Sequence, residues 1–258
     1  MTIFQRGVNF IRYRIVPPHN MHTHAAERFY FGEYMLHLST FFAKGKSLLD
    51  IGCQNGRFTI PAIRAGMEVT ATDIRASFFR YIKGKLHTGD QVIFRKEGLD
   101  QTCKVLTPGS FDVVMCIELL YNLPDTAGNI EKLAMLAKPG GVVIASHRSV
   151  GYYVYRFIKE RNFKAVSEVL NGTHPYYNAQ TPEELDELYR NSGLRIQKII
   201  PIGMFSGFGK DTFSCISNPK RLNPEESEEL FKLETEPGLI RLFGNNARYW
   251  LVIAEKET

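Results

Sequence analysis

The stretch LLDIGCQNG (residues 48–56) places a carboxylate and two glycines directly after a short apolar run. Asp50 offers hydrogen-bond acceptors, and Gly52 and Gly56 allow a ligand to approach the backbone closely because glycine has no Cβ. In open α/β sheets, ligands bind where strands end and helices begin. The dinucleotide fingerprint GxGxxG would need glycines at positions 54 and 57, where this chain has Gln and Arg. The stretch therefore predicts a ligand-binding turn for something other than a nicotinamide dinucleotide.

Seven short apolar runs rich in β-branched residues predict the strands that would hold this turn. Helix-compatible segments over residues 57–65, 74–85 and 126–137 lie between the early runs. This alternation predicts a mostly parallel sheet with helices on both faces. The predicted strands cover residues 47–51, 68–73, 91–96, 111–117, 141–147, 194–202 and 248–255.

A later helix carries its own start and stop signals in QTPEELDELYRNSG. Thr181 is the predicted N-cap, Pro182 lies in the first turn, and Glu184 stands at the capping-box position. Gly193 follows the last turn, where glycine is favoured. We expect this helix to lead into the sixth strand.

Three segments do not fit the alternation of strand and helix. They cover residues 1–46, 148–180 and about 203–247, and all three are rich in aromatic side chains. We predict that they form a helical and aromatic cap over the carboxyl ends of the strands. The core would then comprise residues 47–147 and the rest of 181–258.

The composition indicates a chain that can form its core without disulfides or a structural metal. Its 258 residues are 44% hydrophobic and carry a formal net charge of +5, which permits anionic ligands and does not require nucleic acid. The four cysteines form no CxxC pair, which argues against a zinc site or a disulfide framework and favours a cytoplasmic location. No apolar run approaches the ~20 residues needed to cross a bilayer.

The turn resembles the first motif of the class I S-adenosylmethionine-dependent methyltransferases, (Asp/Glu)-x-Gly-x-Gly-x-Gly at the end of the first strand. Asp50, Gly52 and Gly56 are in register with it, and Gln54 replaces the middle glycine. SFDVVMCIELLYNLPD and LAKPGGVVIASHRS resemble the family's fourth motif and its turn into the fifth strand. The resemblance implies a Rossmann-like, doubly wound α/β fold of seven strands, mostly parallel with an antiparallel last strand. It also implies S-adenosyl-L-methionine as cofactor and S-adenosyl-L-homocysteine as product.

The resemblance also implies how the cofactor is held. Asp50 would meet the methionine amino group, and Asp73 would bind both ribose hydroxyls, which suits a short acid at a strand end. An Asp after a strand is usually a helix N-cap, so Asp73 could do both jobs. Asp100 or Glu97 would accept from the adenine amino group. The predicted cofactor-binding residues are Asp50, Gly52, Cys53, Gln54, Gly56, Asp73, Ile74, Asp100, Cys116, Ile117 and Glu118.

Histidines and tyrosines outside these motifs are candidates for the acceptor side. A general base is useful when the acceptor carries a proton that must leave, and His147 at the end of the fifth strand is the predicted base. The alternative is that His147 only binds backbone. His19, His22 and His24 lie close together, but without an acidic or cysteine partner they do not predict a metal site. The predicted substrate-binding residues are His24, Tyr121, Arg148, His174 and Tyr177.

The residues after the fourth strand argue against DNA as the methyl acceptor. DNA amino-methyltransferases of this superfamily carry (Asn/Asp/Ser)-Pro-Pro-(Tyr/Phe) after the fourth strand, where this chain reads CIEL. We therefore predict a small-molecule acceptor, methylated at oxygen, nitrogen or carbon under the aromatic cap, and no action on DNA. An RNA-modifying methyltransferase and a non-catalytic S-adenosylmethionine-binding module stay open as alternatives. The sequence does not indicate an oligomeric state.

Overall fold

A seven-stranded sheet organises the part of the chain that the computed structural model describes, residues 25–207 and 212–258. Its strands are β1 (Ser47–Ile51), β2 (Glu68–Thr72), β3 (Val92–Arg95), β4 (Phe111–Cys116), β5 (Ala137–Arg148), β6 (Leu194–Ile202) and β7 (Tyr249–Lys256). Their order in the sheet is β3-β2-β1-β4-β5-β7-β6. Strands β1 to β5 pair in parallel, and β7 runs antiparallel to both β5 and β6. The predicted strands and the antiparallel last strand are confirmed.

Helices cover both faces of this sheet and build the segments outside it. The helices are α1 (Ala25–Leu38), α2 (Thr59–Arg64), α3 (Ala76–Lys83), α4 (Leu99–Val105), α5 (Thr126–Leu136), α6 (Val150–Lys159), α7 (Phe163–Leu170), α8 (Pro182–Asn191), α9 (Pro224–Glu234) and α10 (Pro237–Phe243). Short 3₁₀ helices cover Ser39–Phe41, Leu120–Asn122, Thr212–Cys215, Pro219–Arg221 and Gly244–Asn246.

Helix α4 is not among the helices that the sequence pattern predicts. The helix has seven residues, and its N-cap Gly98 makes no side-chain capping bond, so the local signals for it are weak. Burial of Leu99 and Thr102 against the sheet stabilises it instead. Strand β5 also begins earlier than predicted, because a register shift in the β4–β5 pairing extends the ladder back to Ala137.

Successive residues of the strands alternate between two buried layers, as a doubly wound sheet requires. One layer joins the sheet to α1, α2 and α3; the other joins it to α5 and α8. Trp250 of β7 faces the α8 layer, whereas its neighbour Tyr249 faces the α1 layer. This alternation decides which strand-end side chains can reach the same ligand.

The three segments predicted as a cap contact one another. Phe29 of α1 packs edge-on against Phe231 of α9, with ring centroids 5.9 Å apart. Tyr152 of α6 packs against Phe213 at 5.4 Å. Tyr152, Phe213 and residues of α6 and α7 form a third apolar cluster apart from the two sheet layers. The division of the chain at residues 46, 147 and 180 stays a prediction.

Helix α8 begins as predicted. Thr181 Oγ1 accepts from the Glu184 backbone, Glu184 accepts from the Thr181 backbone, and Pro182 occupies the first turn. In the described ranges, no helix is long and apolar enough to cross a membrane.

Candidate functional site

The turn after β1 has the backbone geometry that its glycines predict. Gly52 and Gly56 lie in the left-handed region, with φ of 77° and 78°. A Cβ would come within 2.9 Å of Leu119 at the first position and within 2.8 Å of Ile82 at the second. The glycines are therefore needed both for the backbone angle and for close packing. Gln54, between them, also has a positive φ of 44°.

Asp73 joins this turn to the end of β2. Its Oδ2 accepts from the Gln54 backbone N–H at 3.1 Å, and its Oδ1 accepts from the Arg75 backbone N–H at 2.9 Å. Asp73 is nearly buried, and burial raises its pKa. The N-cap of α3 is Arg75, so the prediction that Asp73 could also be that N-cap is wrong.

Asp50 points a buried carboxylate into the turn from the middle of the sheet. Its Oδ2 accepts from the Thr59 hydroxyl at 2.5 Å. Burial raises the pKa of Asp50 to about 6, although the Thr59 hydrogen bond and the Arg57 charge oppose the increase. A cationic ligand would stabilise this buried carboxylate, because an adjacent positive charge favours the ionised form.

A small, open pocket lies between the turn and the end of β4. Glu118 enters it from a left-handed backbone position with φ of 56°, and its N–H donates to Ser146 Oγ at 2.6 Å. The Glu118 carboxylate pairs with Arg57 at 2.9 Å. Burial alone would raise the pKa of Glu118, but Arg57 holds it below its ordinary value. The pocket is lined by Asp50, Gly52, Cys53, Gln54, Arg57, Phe58, Ile117 and Glu118.

Two arginines and three tyrosines lie beside Glu118, where the end of β5 is next to the start of β7. The guanidinium of Arg148 lies 4.2 Å from the ring centroid of Tyr249, 4.6 Å from that of Tyr121 and 5.1 Å from that of Tyr152. Arg248 lies over the ring of Tyr249 at 5.6 Å. We call Tyr121, Arg148, Tyr152, Arg248 and Tyr249 the arginine–tyrosine cluster.

Comparison with known proteins places this geometry in a family. The chain matches the methyltransferase domain family over residues 22–199. The ubiquinone biosynthesis O-methyltransferase of Nitrosospira multiformis is 32% identical over 180 residues, covering 65% of this chain and 72% of that protein. The protein of the same name from Pseudomonas aeruginosa PAO1 is 32% identical over 160 residues, covering 60% and 67%. The chain is a class I S-adenosylmethionine-dependent methyltransferase.

Solved structures share the fold of the methyltransferase. The S-adenosylmethionine-dependent methyltransferase of Mesorhizobium loti superposes with a TM-score of 0.57 and 15% identity, over 92% of this chain and all of that one. The magnesium protoporphyrin IX methyltransferase of Synechocystis PCC 6803, solved with bound S-adenosylhomocysteine, gives a TM-score of 0.58 and 15% identity, over 98% and 94%.

The methyltransferase brings most of the predicted cofactor residues to one place. Asp50, Gly52, Cys53, Gln54, Ile117 and Glu118 line the pocket, and Gly56 and Asp73 shape the same turn. The carboxylates of this site fit S-adenosylmethionine. Asp50 and Glu118 can stabilise its cationic groups, and Asp73 supplies a hydrogen-bond acceptor at the end of a strand. Ile74 is two-thirds exposed and lies beside Gly98 at the start of α4.

Two predicted cofactor residues lie elsewhere. The Asp100 side chain is 76% exposed and pairs with Lys132 of α5 at 2.7 Å, so it faces solvent on the α4–α5 surface. Cys116 is fully buried in the layer against α8, and burial raises the pKa of its thiol. The side chain is part of the core because strand alternation directs it away from the turn. Neither side chain is among those that line the pocket.

His147 does not face the acceptor side. Its imidazole is buried on the α8 side of the sheet, where Nε2 lies 2.9 Å from the Tyr189 hydroxyl. Burial lowers the pKa of His147 to about 4, so the ring is neutral near pH 7. Strand alternation places His147 and Arg148 on opposite faces, which separates the predicted base from the arginine–tyrosine cluster. His147 therefore has no part in the function proposed below.

The predicted substrate residues divide into two groups. Tyr121 and Arg148 belong to the arginine–tyrosine cluster. Tyr177 and His174 lie farther out, in contact with each other at 4.7 Å, and Tyr177 packs on Tyr153 of α6 at 4.6 Å. His24, together with His19 and His22, lies outside the described residues. Within the described part of the chain, no group of three potential metal ligands occurs.

Sequence reasoning missed five residues of this region, among them Tyr152 of the arginine–tyrosine cluster. Arg57 and Phe58 line the pocket, and the Arg57 guanidinium lies 4.5 Å from the Phe58 ring centroid. Arg248 and Tyr249 complete the arginine–tyrosine cluster from the start of β7. The signal for Arg57 is its position directly after Gly56. No local signal marks Arg248, because only the pairing of β7 with β5 brings it to the site.

Proposed function

We propose that this methyltransferase transfers a methyl group to a hydroxyl oxygen of a small-molecule acceptor. The observation that carries the proposal is the Asp73 carboxylate bound to the backbone of the turn, which joins the ends of β1 and β2 around a pocket lined by two further acids. Transfer to oxygen is supported by the names of the relatives, which are O-methyltransferases of ubiquinone biosynthesis. A small acceptor is supported by the aromatic residues beside the pocket.

The roles of the cofactor residues follow from their contacts. Asp50 would accept from the methionine ammonium group, and Asp73 would accept from the ribose hydroxyls through lone pairs that its two backbone bonds leave available. Gly52 and Gly56 would let the backbone approach the cofactor. The exposed side chain of Ile74 would cover one face of the adenine. Bound S-adenosylmethionine would supply a sulfonium methyl group that an acceptor oxygen can attack, with S-adenosylhomocysteine as the leaving group.

Transfer to oxygen requires that the site stabilise the ionised form of the acceptor hydroxyl. A hydroxyl that enters beside Arg148 and Arg248 would have a lowered pKa, because nearby positive charge stabilises its ionised form. The arginines thus support the chemistry without a histidine base. The site's contribution would be alignment and electrostatic stabilisation of the reacting oxygen.

Calorimetric titration with S-adenosylmethionine and S-adenosylhomocysteine tests the cofactor assignment. We expect Asp73→Asn and Asp50→Asn each to weaken binding by about tenfold or more, since each removes a charge-assisted hydrogen bond. Asp100→Asn is the matched control, because Asp100 pairs with Lys132 on the surface, and it should bind as the wild type does. Wild-type affinity in both Asp50→Asn and Asp73→Asn would refute the assignment.

The acceptor assignment requires a separate experiment. Transfer of a labelled methyl group would be measured with a panel of phenols that includes hydroxybenzoates, with matched anilines, and with total RNA. We expect label in the phenols, recovered as methyl ethers. Label that enters only RNA or only amines would contradict the proposed function.

A further inference from the structure

We propose that the arginine–tyrosine cluster binds a carboxylate group of the acceptor, so that the substrate is a small hydroxy acid rather than a neutral alcohol or phenol. The inference rests on the proposed function, because it names the acceptor class of the same site. Its starting point is the guanidinium of Arg148.

Arg148 has hydrogen-bonding capacity that its protein surroundings do not use. Its Nε and Nη1 atoms are buried and have no hydrogen-bond acceptor among the described residues. The groups nearest to it are the rings of Tyr121, Tyr152 and Tyr249, which attract a cation through their π faces. These rings partly replace the water that burial removes, but they leave the N–H donors unpaired. A buried charged donor without an acceptor is costly.

The charge around Arg148 is also unbalanced. Glu118 is the carboxylate on which Arg57, Arg148 and Arg248 act together, and all three lower its pKa. Glu118 already pairs with Arg57 at 2.9 Å. Arg148 and Arg248 share the ring of Tyr249, at 4.2 and 5.6 Å. Three guanidinium groups around one carboxylate favour the entry of an anion.

The helix that follows Arg148 also favours an anion at the cluster. Helix α6 begins at Val150, two residues after Arg148, and its ten residues direct the positive end of the helix dipole toward the cluster. The Tyr121 and Tyr249 hydroxyls lie 3.5 Å apart and offer further hydrogen bonds. A planar carboxylate matches the fork of donors that a guanidinium presents, whereas a neutral hydroxyl can use only one of them.

The cluster lies where a carboxylate would direct the rest of the acceptor toward the pocket. Ser146, two residues before Arg148 on β5, accepts from the backbone of Glu118, which lines the pocket. The acceptor would therefore lie between Arg148 and Glu118, with its carboxylate on the Arg148 guanidinium and its hydroxyl on the Glu118 side, where the charges of Arg148 and Arg248 also act.

Binding of benzoate and benzamide to the S-adenosylhomocysteine-loaded enzyme tests the inference. The two probes have the same shape and differ in charge. We expect the wild type to bind benzoate about tenfold or more tightly than benzamide, and high salt to weaken benzoate alone. Arg148→Lys keeps the charge and loses the planar fork, and Arg148→Met loses both. Benzoate affinity should fall in both variants, more in the second, with benzamide unchanged.

Arg195→Gln is the matched control, because Arg195 pairs with Glu255 on the surface at the far end of β7 and should leave benzoate binding unchanged. Equal affinity of the wild type for the two probes, or benzoate binding that survives Arg148→Met, would overturn the carboxylate site. The preceding titration with S-adenosylhomocysteine distinguishes the two proposals. Normal S-adenosylhomocysteine binding without benzoate binding overturns this inference alone, and failure to bind S-adenosylhomocysteine overturns the proposed function with it.

Discussion

Gln54 occupies a backbone conformation that usually selects glycine. Its φ of 44° lies in the left-handed region, which is unfavourable for a residue with a Cβ. The hydrogen bond from its N–H to Asp73 helps to hold it there. The substitution of the family's middle glycine has therefore left the shape of the turn intact, at a cost in backbone energy.

We expect Gln54→Gly to stabilise the enzyme by about 1 kcal/mol, because glycine adopts this angle without a Cβ clash. Gln101→Gly is the matched control, since Gln101 lies in the right-handed helix α4, where glycine should cost about 1 kcal/mol. Urea denaturation of both variants measures the difference. A loss of stability in Gln54→Gly would contradict the strain argument.

Asp50 should make stability depend on pH. Its pKa in the folded protein is about 6, above the ordinary value of 3.8, so the folded state binds this proton more tightly than the unfolded state does. The associated stabilisation is present at low pH and is lost as the pH rises through about 6. The free energy of unfolding should fall by up to about 3 kcal/mol across that window.

The measurement compares wild type and Asp50→Asn by denaturation at about pH 4 and about pH 7. Other buried carboxyls, including Glu33, titrate in both proteins, so the difference between the two isolates Asp50. We expect Asp50→Asn to be the more stable protein at the higher pH and to lose affinity for the cofactor. Identical pH profiles would show that Asp50 has an ordinary pKa.

The sequence pattern predicts the strands and the direction in which each one ends. The face of the sheet on which an end residue lies must be found by counting residues along the strand. His147 was predicted as the base from its position at a strand end. Counting in twos along β5 assigns it to the same side as Val143 and Ala145, and that side is covered by α8. The alternation of residues along β5 therefore indicates that His147 faces α8. The contribution of β7 did not follow from local sequence, because it depends on pairing between distant strands.

The segment that follows β6 is held by buried acids from two different helices. Glu234 of α9 accepts from the backbone N–H groups of Met204 and Phe205, at 2.6 and 2.9 Å. Glu33 of α1 accepts from the Gly203 N–H at 3.1 Å. Burial raises the pKa of each carboxyl, and the charge of Glu234 raises that of Glu33 further. The acids replace the backbone partners that an irregular buried segment lacks.

We expect Glu234→Ala to destabilise the enzyme by about 2–4 kcal/mol, because it leaves two buried backbone N–H groups without acceptors. Glu229→Ala is the control from the same helix, since Glu229 is exposed and its ion pair with Lys232 lies on the surface. That change should stay within about 0.5 kcal/mol. Thermal unfolding of the two variants compares them, and equal transition temperatures would exclude an anchoring role for Glu234.

At the scale of the molecule, composition predicted a chain with its own core, and the motifs predicted the doubly wound sheet in full. The predicted substrate-binding residues separate into two groups, and their role stays a prediction. Tyr121 and Arg148 are brought together, whereas Tyr177 and His174 pack against α6 instead. The difference arises because residues outside the motifs are positioned by long-range packing. The cytoplasmic location and the alternative acceptor RNA stay predictions.

The insertion of β7 between β5 and β6 has a consequence for the order in which the site can form during synthesis. The turn around Asp50 and its partner Asp73 leave the ribosome before β7 does, together with the strands that support them. Arg248 and Tyr249 emerge later, and until β7 pairs with β5 the guanidinium of Arg148 lacks one of its aromatic walls. A nascent chain can thus form the turn that we propose binds the methyl donor well before the arginine–tyrosine cluster is complete.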